Sequence, residues 1–123
     1  FNRKALGGGM RQSGILAAAG IVALNEMPKK IIMDHQNAIT LAKGLNAISG
    51  ISIDLEKVKT NIIYFKLDHS KIDSVMLIDS MLKKNIKFFE LGPNWFRLVT
   101  HSGINEEDIE HVLIQFKDLF SKI

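Results

Sequence analysis

The 123-residue chain has no cysteine, which excludes a disulfide framework and any thiolate metal site and suits a reducing compartment. The fold has to hold by packing. Also lacking is a run of about 20 apolar residues, the length that crosses a bilayer. The longest uncharged stretch, Gln12 to Asn25, falls short of that and is too rich in alanine and glycine for the apolar region of a signal peptide. Neither a membrane span nor a targeting segment is expected, and the cytoplasm is the expected compartment. Charge of one sign is not concentrated either: 16 Lys and Arg against 13 Asp and Glu give +3, scattered along the chain with only short pairs such as Lys83-Lys84. Phosphate backbones are tracked by cations clustered on one face, so no nucleic-acid partner is expected.

Two kinds of chemistry are missing as well. His35, His69, His101 and His111 are dispersed, with no pair at i, i+4 beside a carboxylate, so no metal site is assigned. Asp54, Glu56, Glu106, Glu107, Asp108 and Glu110 sit where strand ends and helix first turns are expected, not as a tuned acid/base pair. No nucleophile with a base beside it can be read.

What is present is a patterned α+β chain with the length of a single core. Met10 to Glu26 favours a helix whose apolar residues Ile15, Leu16, Ile21, Val22 and Leu24 point all round the cylinder, which predicts burial on every side. Pro28 interrupts the pattern. A second, amphipathic helix is expected from Lys29 to Ile48, stopped by Gly50. Alternation predicts strands over Ile51–Leu55 and Asn61–Leu67, then a helix capped by Ser70 or Asp73 and running to Lys84. Strands over Asn85–Glu90 and Trp95–Thr100 flank a turn at Leu91–Asn94, and Asn105 caps a last helix with acidic residues in its first turn. The expected architecture is a two-layer sandwich: a mostly antiparallel four-stranded sheet with helices on one face, preceded by an apolar linking helix. The chain divides at 28/29 on this reading.

Two features suggest function. Gly7-Gly8-Gly9, with Arg11 beside it, has the N–H groups and the cation to hold an anion, although its spacing fits neither a Walker loop nor a dinucleotide fingerprint. A flexible lead-in to a helix is the plainer explanation. Arg97 stands in Trp95-Phe96-Arg97-Leu98-Val99, apolar on both sides. A guanidinium there needs an anion: either an internal carboxylate, as a structural ion pair or an edge-strand snorkel, or the carboxylate of a ligand gripped by its two-pronged fork. A free-standing module that binds an amino acid is one function compatible with this. An RNA-binding module ranks behind it, because the β-β-α-β-β order is not that of an RNA-recognition fold.

The run Arg3-Lys4-Ala5-Leu6-Gly7-Gly8-Gly9-Met10-Arg11-Gln12-Ser13-Gly14-Ile15-Leu16-Ala17-Ala18-Ala19-Gly20 resembles the RK-x-x-GGGMRQ-[SA]-G-x-LAAAG segment of low-specificity L-threonine aldolases. Asp34-His35-Gln36-Asn37-Ala38, Thr60-Asn61, Arg97-Leu98-Val99-Thr100-His101 and Asn105-Glu106-Glu107-Asp108 follow in that family's order with comparable spacing. The departures are Ala5-Leu6 in the variable pair and the stretch after His101; they touch no assigned role.

The resemblance implies the small C-terminal domain of a pyridoxal-phosphate (PLP) enzyme of the aspartate-aminotransferase fold type. Residues 1–28 would close the large cofactor domain and form the linking helix, and 29–123 would be the small domain. The chain begins at Phe1 rather than methionine and reads as cut from something longer, with the cofactor's Schiff-base lysine expected upstream of it. Arg97 is then expected to hold the substrate carboxylate, Arg11 to lie near the cofactor phosphate, and Lys4 near that phosphate or the active-site water. The implied parent is a homotetramer that cleaves L-threonine or L-allo-threonine to glycine and acetaldehyde. This stretch alone is expected to be inactive.

Overall fold

The computed structural model describes residues 1–122. The chain falls into two compact units, Phe1–Lys30 and Ile31–Ile123.

The first unit opens with a single turn of helix, α1 (Asn2–Ala5), and a reversal through the glycines. Gly8 N–H donates to the Arg3 carbonyl at 2.7 Å and Gly7 N–H to that of Lys4 at 3.1 Å. A Cβ on Gly8 would lie 2.9 Å from the Arg3 carbonyl oxygen, so a side chain is excluded there by backbone. Helix α2 (Ser13–Asn46) begins in this unit. Two expectations need correction. Pro28 does not separate two helices but stands inside α2. Proline costs the ladder one N–H, at the Leu24 carbonyl, and crowds the preceding turn, but the residues on either side are good helix formers and the helix runs on. Nor is the apolar segment buried on every side: Ile15 is 74% and Leu24 77% exposed, because α1 and one tight turn offer too little surface to cover it.

In the second unit, β1 (Ile51–Ser52), β2 (Ile62–Leu67), β3 (Phe89–Gly92) and β4 (Trp95–Val99) form one sheet in the order β1-β2-β4-β3, every neighbouring pair antiparallel. The expected sheet is therefore present. β4 slots between β2 and β3, and α3 (Ser74–Leu82) makes the crossover that joins them. The strands alternate. Ile63, Phe65 and Leu67 of β2 and Phe96 and Leu98 of β4 are buried, and they belong to one core with Ala38, Leu41, Ala42 and Leu45 of α2, Leu77 and Met81 of α3, and Ile109 and Phe116 of α4 (Glu106–Ser121). The helices thus cover one face only. The other carries Ile62, Tyr64, Lys66, Trp95, Arg97 and Val99, none of them buried.

Two strands are shorter than alternation predicts, for local reasons. After Ser52 the Ile53 N–H donates to Asn46 Oδ1 at 2.9 Å, and Leu55–Lys57 coils into a 3-10 turn, so the ladder ends. At the end of α3, Asn85 takes φ 61°, and Ile86 N–H reaches back to the Met81 carbonyl at 3.0 Å. This left-handed helix stop uses the residues expected to start β3.

Helix α4 has the cap its sequence announces. Asn105 Oδ1 accepts from Asp108 N–H at 3.0 Å while Asp108 Oδ2 accepts from Asn105 N–H at 2.9 Å, a reciprocal capping box. Asn105→Ala is expected to cost about 1 kcal/mol, a fall of about 5 °C in Tm for a domain of this size, which thermal unfolding followed by circular dichroism would read.

Candidate functional site

Arg97 is placed by strand register. β4 pairs on one side with β2 and on the other with β3, so Tyr64, Arg97 and Phe89 form one row across the sheet, with Trp95 opposite Lys66 and Val99 opposite Ile62 on β2. Tyr64, Phe89 and Trp95 are exposed, and Arg97 is half-buried among them. Its Cζ lies 5.7 Å from the centroid of the Phe89 ring, within cation–π range.

Among the described residues the guanidinium has no anion. Among the described residues the ion pairs are Lys57–Asp54, Lys66–Asp68 and Lys122–Asp118, and none involves Arg97. Glu90, the acid closest to it in sequence, accepts from Asn94 N–H at 3.2 Å, within the β3–β4 turn. Arg97 Nε is buried and has no hydrogen-bond partner among the described residues. Of the two partners open to Arg97, the internal carboxylate is thus not used. A buried, unsatisfied donor on a permanent cation is costly, and the group that relieves it best is a carboxylate accepting two parallel N–H bonds.

Two of the motif blocks that carried no assigned role, 34–38 and 60–61, converge on the end of the Arg97 block. Thr100, 2% exposed, donates from Oγ1 to the Asp34 carbonyl at 2.7 Å. Its N–H donates to the Asn61 carbonyl at 3.0 Å, and Asn61 Nδ2 donates to the Thr100 carbonyl at 2.7 Å. Asn37 Nδ2 donates to the Ile104 carbonyl at 3.0 Å. This knot fastens the end of the Arg97 strand to α2 and to the start of β2. His101 serves the following turn, its Nδ1 accepting from Gly103 N–H at 3.1 Å.

Lys4 and Arg11 lie in the first unit, both exposed. Neither takes part in an ion pair among the described residues, and no acidic residue precedes Glu26. Two of the three glycine N–H groups are already bonded to α1 carbonyls, so the glycine run is a tight turn more than an anion cradle.

Elsewhere, Lys57 donates to Asp54 at 2.8 Å and holds its carboxyl below the ordinary range, while the carboxylate raises the lysine. Both are exposed, so salt screens the pair. Among the described residues no three metal-ligating side chains converge, and no helix is long and apolar enough to cross a membrane. Sequence reasoning reads Tyr64 and Phe89 as strand aromatics without placing them beside Arg97. Their signal was there: aromatic residues in the outward phase of strands whose inward phase is already apolar.

The arrangement can be set against known proteins. The model of the beta-eliminating lyase family matches residues 2–68. The chain belongs to that family. It is 38% identical over 119 residues to the probable low-specificity L-threonine aldolase 2 of Arabidopsis thaliana and 32% over 120 residues to the low specificity L-threonine aldolase of Escherichia coli K12. These alignments cover 96% and 98% of the chain and 34% of each relative; the chain spans about a third of the length of the relatives it matches. Among solved structures, the cystine C-S lyase C-DES in complex with cysteine persulfide matches with a TM-score of 0.69 at 19% identity, over 86% of this chain and 28% of that one. A C-DES mutant with glycine covalently linked to its PLP cofactor matches equally well, TM-score 0.69 at 20% identity, over the same shares of the two chains. At 19% and 20% identity the likeness to both is one of fold.

Proposed function

We propose that the chain is the C-terminal part of a PLP-dependent, low-specificity L-threonine aldolase that cleaves L-threonine or L-allo-threonine to glycine and acetaldehyde, and that Arg97 binds the substrate carboxylate. The observation that carries this reading is the unpaired guanidinium, with its buried, unsatisfied Nε, on the uncovered face of the sheet. The aldolase relatives span this chain almost end to end and support the choice of substrate.

Residues of this chain also fit the cofactor. Lys4 and Arg11 are exposed cations without ion pairs in a stretch free of acid before Glu26, the electrostatics that a phosphate dianion needs. In this reading Arg11 lies near the phosphate, and Lys4 near the phosphate or the active-site water. When bound, PLP supplies the electron sink for breaking the Cα–Cβ bond.

The work of this chain is orientation. A two-point grip on the carboxylate fixes the rotation of the amino acid about Cα and so decides which Cα bond is presented for cleavage. The apolar rings beside Arg97 exclude water and strengthen that grip, since an ion pair gains as the local dielectric falls. The uncovered sheet face and the exposed Ile15, Ile21 and Leu24 of α2 are apolar surfaces suited to the large domain and to neighbouring copies in a tetramer.

The 123-residue chain mixed with PLP and L-threonine is expected to release no acetaldehyde, and joining it to the upstream region is expected to restore release. Robust release by the chain alone contradicts the proposal. Calorimetric binding of glycine by the chain without cofactor would favour a free-standing amino-acid module instead.

A further inference from the structure

The Phe89 ring is large, apolar and 66% exposed, so the fold gains little from it. It stands directly across the β3–β4 ladder from Arg97, at cation–π distance from the guanidinium. Among the described residues Arg97 has no hydrogen bond or ion pair to fix its guanidinium, and a guanidinium held by neither loses side-chain entropy when it grips a ligand. A ring at cation–π distance from the guanidinium removes part of that freedom beforehand. It also leaves the N–H groups at the fork's edge unoccupied, because a ring face accepts no in-plane hydrogen bond. A carboxylate on β3 would have filled those donors.

We infer that Phe89 is a positioning residue that holds the Arg97 guanidinium ready for the carboxylate of an amino-acid substrate. This rests on the carboxylate role proposed for Arg97. The surrounding strand supports it: the nearby Glu90 is engaged by Asn94, and β3 has its bulge between Glu90 and Gly92, which leaves the Phe89–Arg97 pairing in register.

The experiment uses the holoenzyme and titrates glycine and, separately, methylamine, which has no carboxylate, reading the change in cofactor absorption. Phe89→Leu is expected to weaken glycine about three- to tenfold and to leave methylamine unchanged, with Phe89→Tyr restoring glycine affinity to within about twofold. A defect of folding would weaken both ligands, and an unchanged Tm excludes it. If Phe89→Leu binds glycine as tightly as the parent, or weakens both ligands alike, the inference is overturned. An Arg97→Gln control separates the two levels: weaker glycine in this variant with a silent Phe89→Leu removes only the role of Phe89. Unchanged glycine affinity in Arg97→Gln removes the underlying reading as well.

Discussion

Arg97→Leu in the full-length enzyme is expected to lower kcat/KM for L-threonine about 10²-fold, with most of the loss in KM, while Tm stays level or rises. The first half follows from the role proposed for Arg97. Truncating one partner of a desolvated, hydrogen-bonded charge pair costs about 2–5 kcal/mol, and each 1.4 kcal/mol is tenfold. The second half follows from the buried Nε without a partner: removing an unsatisfied polar group relieves a cost that the free protein carries. Activity and stability therefore move apart, which is the mark of a residue kept for its ligand. Arg97→Lys recovers only part of the loss, because an ammonium lacks the fork that meets both carboxylate oxygens. Steady-state kinetics of acetaldehyde release with thermal unfolding of the same variants read both quantities.

Phe65→Ala has the largest expected effect on stability. Phe65 is fully buried at the centre of an aromatic cluster: it stacks on Phe96 at 4.8 Å and meets Phe88 and Phe116 edge-on at 5.8 and 6.1 Å. Those rings come from β4, the segment leading into β3, and α4, so one side chain joins three parts of the second unit. Removing a buried phenylalanine costs about 3–5 kcal/mol through lost burial and the cavity it leaves, a large fraction of the stability of a small domain. The variant is expected to unfold at a much lower urea concentration than the parent, with loss of near-ultraviolet circular dichroism. Phe89→Ala, a phenylalanine on the uncovered face, is expected to leave the urea midpoint nearly unchanged.

The sheet and its covering helices were legible in the sequence because strand alternation and helix period report burial directly. The apolar period of the last helix turns Ile109 and Phe116 inward, and both are core. What was not legible depended on partners distant in sequence. Ile51 to Leu55 alternates well, yet Asn46 takes the Ile53 N–H and ends the strand. Asn85 looks like a strand start, but in the left-handed conformation it serves α3 instead. Pro28 looks like a break, and the helix continues through it.

The site divides in the same way. Arg97 was conspicuous because a charge in an apolar strand conflicts with its surroundings. Whether it had an internal carboxylate could not be read from the sequence, since the answer lies in the β2–β4–β3 register and in the engagement of Glu90 with Asn94. The knot of Asn37, Asn61 and Thr100 was visible only as motif residues without a role. Its hydrogen bonds join residues up to 67 positions apart, and a hydrogen bond over that separation leaves no local signature.

The most direct measurement is a structure of the full-length enzyme with glycine bound at the cofactor. The account predicts the Arg97 guanidinium against the glycine carboxylate, with two N–H···O contacts of about 2.7–2.9 Å. An Arg97 bound instead to a protein aspartate or glutamate, with the glycine carboxylate held by another cation, would contradict it.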